Sequence, residues 1–251
     1  MRTAWAIYKR ELIGSFCSPL AYAVLVSFLV FNGVVFYFFL SLAANNPVQG
    51  LTGTAGPLQL FFGNTILSAL TLMMFAPTIT MRAFAEERRS RTLETLLTAP
   101  VGEVAVVVGK FFGALTVYAS LWLPTLLYVL VVKRYGPVDY GALASAYTGV
   151  LFVGGAFLAI GLLMSSLARS QVMAFVMSFA VIGGVMFALG LGRYVSTGEA
   201  AQQFFSYVNL WEHMEHFSVG MVDSRTLVYY GSVIALALSL TVRALAGQRE
   251  G

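Results

Sequence analysis

The feature that most constrains this chain is the run Leu20–Leu42, which carries no charged residue. A helix crossing a hydrocarbon core of about 30 Å needs roughly 20 apolar residues, so this run is long enough to span a membrane. Five further stretches are long and apolar enough, at about 58–81, 104–132, 143–167, 172–191 and 227–242, with Lys110 the one charge among them. In lipid no water satisfies the backbone, so each run has to close its hydrogen bonds internally as a helix. Pro77 and Pro124 lie inside two of the spans. A kink there is tolerated where neighbouring helices satisfy the carbonyls that proline frees. The expected fold is an all-α membrane protein, a single transmembrane domain over 1–251 with six transmembrane helices.

Composition agrees with lipid as the solvent. Charged residues make up 10% of the 251, and mean hydropathy is +0.81. A soluble domain carries about 25% charged residues. A net charge of +4 is no signal for nucleic acid, and no nucleic-acid partner is expected. Cys17 is the single cysteine, which excludes an intrachain disulfide and a cysteine-based metal motif. The first apolar run exceeds the roughly 7–15 residues of a signal-peptide core, so it reads as a retained helix.

Charge distribution orients the spans. Six spans leave both termini on one side. That side receives Arg2, Lys9, Arg10, Arg82, Arg88, Arg89, Arg91, Lys110, Arg169, Arg243 and Arg249, against Lys133, Arg134, Arg193 and Arg225 on the other. The positive-inside rule therefore predicts cytoplasmic termini. Before the first span, Trp5, Tyr8, Leu12 and Phe16 share one helical stripe while Lys9 and Arg10 fall elsewhere on the wheel. This predicts an N-terminal interfacial amphipathic helix over 1–19 on the inner membrane surface. It can serve as an anchor for the first span or as a protein contact. The segment 193–225, containing "FFSYVNLWEHMEHF", mixes aromatics and charges and predicts short external helices before span six.

The stretch "MRAFAEERRSRTLETLLTAP", residues 81–100, concentrates charge between spans two and three. Each of these charges would cost about 2.5–3.5 kcal/mol at a membrane centre on insertion scales, so the segment lies in water or against protein. Its periodicity predicts a helix over about 84–98. Ala85, Leu93, Leu96 and Leu97 form one stripe, with Arg88, Arg91, Thr92 and Thr95 on another. Pro100 disfavours helical geometry at Ala99 and marks the end. One reading is a solvated loop that fixes topology. A second follows from Glu86-Glu87-Arg88-Arg89-Ser90-Arg91, which fits the E-E-x-x-x-R pattern of intramembrane prenyl-protein proteases. Such an enzyme needs histidines beside the glutamates. His213 and His216 fall on the opposite side, with Asn209 and Glu212 where a phenylalanine is required.

The third reading is a docking helix for a cytoplasmic motor. "FAPTITMRAFAEERRSRTLETLLTAPV", followed by "VVVGKFFGAL", closely resembles the permeases of type-2 ABC exporters. The shared elements are an acidic-basic cluster, then Thr92, Leu93, Glu94, Leu96, Leu97 and Pro100, then Gly109-Lys110. "YKRELIGSFCSPLAY", "LPTLLYVLVVKRYGPVDYG", "SQVMAFVMSFAV" and "HFSVGMVDSRTLVYYGS" are similar to the gliding-motility-associated branch. The resemblance covers nearly the whole chain and is weakest over Gly192–Met214.

The resemblance implies a dimeric inner-membrane permease whose cytoplasmic coupling helix seats in a separate ABC ATPase. The second copy would be identical or related, and an accessory membrane or periplasmic subunit can join. No cofactor is expected in this chain; ATP and Mg belong to the partner. Gly109-Lys110 is no phosphate loop, because Val104 and Phe111 stand where Gly-x-x-x-x-Gly-Lys-Ser/Thr requires glycine and hydroxyl. The chain itself is expected to catalyse nothing.

Glu86, Glu87, Arg88, Arg89, Arg91, Thr92 and Glu94 are the expected coupling residues, of which Glu86, Arg88, Arg89, Arg91 and Glu94 supply ATPase or intrasubunit ion pairs, with Phe84, Leu93, Leu96 and Leu97 seating the helix. Reversing Arg88 and Arg91 to Glu is expected to release the ATPase without unfolding the permease. By analogy the pathway lies between protomers along spans two and five, with Phe61, Phe62 and Asn64 as candidate lining; helix packing is the alternative for the aromatics. His216, Asp223 and Arg225 mark the external end of the resemblance, and Asp223 suits a cap for span six. His213 and His216, with Glu212 and Glu215, have the spacing of a metal site, against a plain interfacial helix. Besides export, the assembly can act as a mechanotransmission module on an envelope partner, or in maturation of a periplasmic metalloprotein.

Overall fold

A computed structural model describes residues 2–45, 56–63, 66–89, 102–135, 138–195 and 198–249. Among them there are helices and turns and no strand. The order is α1 (Arg2–Phe16), α2 (Pro19–Asn45), α3 (Pro57–Phe62), α4 (Ile66–Thr80), α5 (Ala85–Arg89), α6 (Glu103–Trp122), α7 (Leu126–Tyr135), α8 (Tyr140–Leu167), α9 (Gln171–Val195), α10 (Glu199–Val208), α11 (Leu210–Ser218) and α12 (Ser224–Arg249). Six stretches of the described chain are helical, long and apolar enough to cross a membrane. The outer faces of α2 and α9 present Val26, Val30, Val34, Val172 and Val176, as lipid contact requires.

Helix α8 is the centre of the bundle, and its small residues explain why. Its neighbours approach over different glycines. A Cβ at Gly161 would collide with Thr80 of α4, one at Gly154 with the Tyr118 ring of α6, and one at Gly149 with Phe217 of α11. Without a hydrophobic driving force between helices in lipid, such close backbone approach supplies the packing energy. Tyr118 is fully buried and donates its hydroxyl proton to the Val150 carbonyl at 3.3 Å. Gly154→Val is therefore expected to lower stability by about 1–3 kcal/mol through overpacking. A thermal melt of the purified variant beside wild type checks this; an unchanged melting temperature contradicts the packing.

Three spans differ from expectation. The expected continuous span at 58–81 is divided. Helix α3 ends at Gly63, whose backbone is extended, and the Ser68 hydroxyl donates to the Gly63 carbonyl at 2.9 Å. Ser218 of α11 lies against Gly63, so a side chain there would crowd the junction. The 104–132 span is interrupted at Pro124 by a 3-10 turn, Leu123–Thr125. The Thr125 hydroxyl donates to the Trp122 carbonyl at 2.6 Å and accepts from Tyr147 at 2.7 Å, so a polar pair on two helices holds the turn. Span six continues past 242 to Arg249.

Caps set two other ends. Asp139 accepts from the Gly141 and Ala142 amides at 2.8 and 3.2 Å, starting α8 three residues before the expected 143. Asp223 accepts from the Arg225 amide at 2.9 Å at the head of α12, as its residue type suggests. Between α11 and α12 the chain reverses at Gly220, whose φ of +91° suits glycine alone.

Helix α1 docks on the protein. Gly109 and Gly113 of α6 lie under it: a Cβ at 109 would be 2.9 Å from the Ala4 carbonyl oxygen, and one at 113 would be 3.0 Å from Glu11 Cβ. Ile7 is buried in this contact, and the Tyr8 and Thr116 hydroxyls are 3.2 Å apart. The glycine pair thus serves an intrachain contact. Trp5 and Phe16 stay exposed, leaving an apolar edge for lipid beside the docked face.

Candidate functional site

The densest polar constellation lies where α4 gives way to α5, on the side of the chain termini. Helix α4 ends in a turn over Met81–Phe84. The Ser165 hydroxyl of α8 holds it, accepting from the Phe84 and Ala85 amides at 3.1 and 3.3 Å and donating to the Met81 carbonyl at 3.4 Å. One donor and two acceptor sites are the full capacity of a hydroxyl. Phe84 and Ala85 are buried at this point, and Ala85 packs with Ala168 and Ala174 at the α8–α9 corner.

Lys110 of α6 reaches the same place from the opposite side. Its side chain is only 2% exposed. All three ammonium protons are used: on Glu11 Oε1 at 2.8 Å, the Ala83 carbonyl at 2.7 Å and Glu87 Oε1 at 2.9 Å. The ammonium also stands 5.1 Å from the centre of the Phe84 ring, within cation–π range. Arg10 adds a second cation, 2.8 Å from Glu87 and 3.4 Å from Glu11. Two carboxylates and two cations balance, which is the condition for holding a lysine out of water. The cluster joins α1, α5 and α6.

Arg88 takes a different part from the one expected of it. Its guanidinium donates to the carbonyls of Ser166 at 2.6 Å, Leu167 at 3.3 Å and Ala168 at 3.0 Å. These oxygens close the C-terminus of α8, where a cation also suits the helix dipole. A carboxylate at 88 would face three carbonyl oxygens, which weighs against reversing Arg88 without disturbing the permease. Glu86 is half-exposed with Arg82 at 4.0 Å. Arg89 stands on α5. Arg91, Thr92, Leu93, Glu94, Leu96 and Leu97, and with them most of the expected 84–98 helix, lie outside the described residues.

Of the other expected site residues, Trp5, Lys9 and Arg10 stand on α1, and only Arg10 joins the cluster. Phe61 and Phe62 are buried inside the protomer, edge-to-face with each other at 4.9 Å and packed on Tyr128, Trp122 and Tyr147. This is the helix-packing alternative rather than an open lining. Asn64 lies outside the described residues.

At the opposite end, Asp223 and Arg225 are exposed at the start of α12, and the histidines point apart. His216 is exposed. His213 is buried, its Nε2 donating to the Tyr207 carbonyl at 3.0 Å and its Nδ1 facing the Tyr230 hydroxyl at 3.0 Å. Both ring nitrogens are occupied. No group of three or more His, Cys, Asp or Glu among the described residues is placed to hold a metal.

Burial pushes the His213 pKa below its usual value, and the Tyr207 carbonyl opposes this only in part. The neutral ring is thus favoured in the fold. Its contribution to stability is complete above the unfolded pKa of about 6.5 and is lost as pH falls through the lowered folded pKa. Melting temperature is expected to drop between pH 7.5 and pH 5, and His213→Gln to flatten that part of the profile. An identical profile in the variant would assign the acid sensitivity elsewhere.

Lys110, Glu11 and Ser165 were not among the residues expected to form the site. The signal for the first was present: Lys110 is the one charge inside an apolar span, and such a charge demands a partner. Glu11, the one acid in α1, is the natural counterpart. Nothing in the local pattern distinguishes Ser165.

A family profile described as "ABC-2 family transporter protein" matches residues 40–211, a region that contains the turn, α5 and Lys110. Two curated relatives carry the name "Probable multidrug ABC transporter permease YbhR", from Escherichia coli strain K12 and Escherichia coli O157:H7. Each is 29% identical over 140 residues, 56% of this chain and 37% of the relative. The matched part is little more than a third of the relatives' length. Because the profile covers more than half of a chain with six apolar helices, this multi-pass membrane protein belongs to the ABC-2 transporter family.

Proposed function

We propose that the chain is the transmembrane permease subunit of a dimeric ABC exporter in a bacterial inner membrane, with both termini cytoplasmic. A separate ATPase would bind the segment that begins at α5, and ATP-driven motion of that segment would reorganise the spans. The observation that carries the reading is the family match across 40–211, which includes the coupling segment. The anchoring by Lys110 and Ser165 supports it, since a lever needs a fixed base. The motif likeness to the gliding-motility branch favours export or secretion of that type, with a substrate pathway between protomers. The chain would perform no covalent step; ATP and Mg would act on the partner.

On this reading Arg91 and Glu94, which follow α5 in the sequence, are the charged residues that meet the ATPase. Purification from native membranes in mild detergent is expected to bring down an ATPase bearing a Gly-x-x-x-x-Gly-Lys-Ser/Thr loop. Arg91→Glu with Glu94→Arg is expected to lose that ATPase while keeping the wild-type melting temperature. Unchanged copurification and ATP turnover in the double variant would overturn the proposal.

A further inference from the structure

The Lys110 cluster forms one wall of a larger feature. A cleft of about 420 Å3 opens between α1, α2, α4 and α6 at the terminal side of the bundle. That volume lies in the range of small-molecule pockets, about 300–1,000 Å3. Its wall within the spans is aliphatic, with Val24, Ile79, Val117 and Leu121; its rim at the helix ends is charged, with Arg82 and Glu86 at the turn. Apolar depth under a charged rim is the polarity profile of one membrane leaflet.

Arg82 stands apart from the other buried or half-buried cations of this region. Lys110 and Arg88 each make three hydrogen bonds. Arg82 makes one long hydrogen bond, to the Ser18 hydroxyl at 3.4 Å, and stands 4.0 Å from Glu86. Its Nε is buried with no hydrogen-bond partner among the described residues. A guanidinium has five N–H donors in a planar fork that matches a phosphate. An inorganic anion would leave the aliphatic wall uncovered, and a neutral diglyceride would leave the guanidinium unsatisfied.

We propose that this cleft binds a glycerophospholipid of the adjoining leaflet, its phosphodiester on Arg82 and an acyl chain along Val24, Val117 and Leu121. Arg10, Arg82 and Lys110 are balanced around the cleft by Glu11, Glu86 and Glu87, so a zwitterionic headgroup enters without net repulsion. The bound lipid would stand between α2 and α6, beside the base of the coupling segment. This site holds whichever partner the segment meets.

The test uses the full chain, delipidated in detergent and titrated with dioctanoyl phosphatidylethanolamine, with bound lipid counted by native mass spectrometry. The expected result is one tightly held lipid, weakened about tenfold by Arg82→Gln, as loss of a charged hydrogen-bond donor implies. Val117→Trp, which fills the wall and keeps the charges, is expected to exclude the lipid and serves if the Arg82 variant does not fold. Arg225→Gln, at the far end, is expected to bind as wild type. Dioctanoylglycerol and inorganic phosphate are expected to bind far more weakly. Equal binding by the two cleft variants and wild type would overturn the proposal. So would dioctanoylglycerol binding as well as the phospholipid, or full displacement by inorganic phosphate, which would make the site one for a free anion.

Discussion

Lys110→Ala is expected to lower stability by about 3 kcal/mol, the lower end of the range for breaking a buried ion pair by removing one partner. The lysine is 2% exposed and satisfies Glu11, Glu87 and the Ala83 carbonyl at once. Its loss leaves two carboxylates in a half-buried site, where Arg10 compensates only in part because it is mostly in solvent. A triple variant, Lys110→Met with Glu11→Gln and Glu87→Gln, removes the buried charges, leaves only the largely exposed Arg10, and is expected to recover most of the stability. It is not expected to recover coupling, because the polar junction of α1, α5 and α6 is gone. Thermal melts read the first effect and ATP turnover of the assembled complex the second. A triple variant no more stable than Lys110→Ala would show that the cluster is not acting as a balanced unit.

Arg88→Glu is expected to have the next largest effect. Arg88→Ala strands the Ser166, Leu167 and Ala168 carbonyls, costing about 2 kcal/mol when a charged donor is lost at a helix C-terminus. Arg88→Glu adds repulsion between a carboxylate and those oxygens and should cost more. Hydrogen exchange near Leu167 is expected to rise in both variants, with Arg88→Lys between them and wild type because an ammonium lacks the planar fork. Equal exchange in wild type and Arg88→Glu would mean that Arg88 does not hold α8. The result separates Arg88, which serves the permease, from Arg91, proposed to serve the partner.

The membrane fold was legible because lipid imposes one rule on every span, and unbroken apolar runs obey it visibly. Breaks within spans were harder to read. Pro77 stays inside α4, whereas Pro124 becomes a 3-10 turn because Thr125 and Tyr147 complete its hydrogen bonds across helices. The break at Gly63 packs against Ser218, distant in sequence. The charged stretch announced a site, but the inward contacts of Glu87 and Arg88 did not show in local periodicity. Arg88 turns toward the terminal carbonyls of α8, and helical spacing around residue 88 carries no record of them. The Gly109–Gly113 pair declared close packing without naming its partner, which proved to be α1.

Lys110 fixes the segment beginning at Ala85 to α1 and α6, so the three are expected to move together. Cys17 is the one cysteine, so a Cys17→Ser background accepts spin labels at chosen sites. Labels at Lys9 on α1 and Glu86 on α5 report the distance within a protomer, and Glu86 alone reports the distance between protomers. In the proposed complex of two copies with an ATPase, trapping ATP is expected to shift the Glu86–Glu86 distance and to leave Lys9–Glu86 unchanged. A Lys9–Glu86 distance that changes on ATP trapping would contradict it.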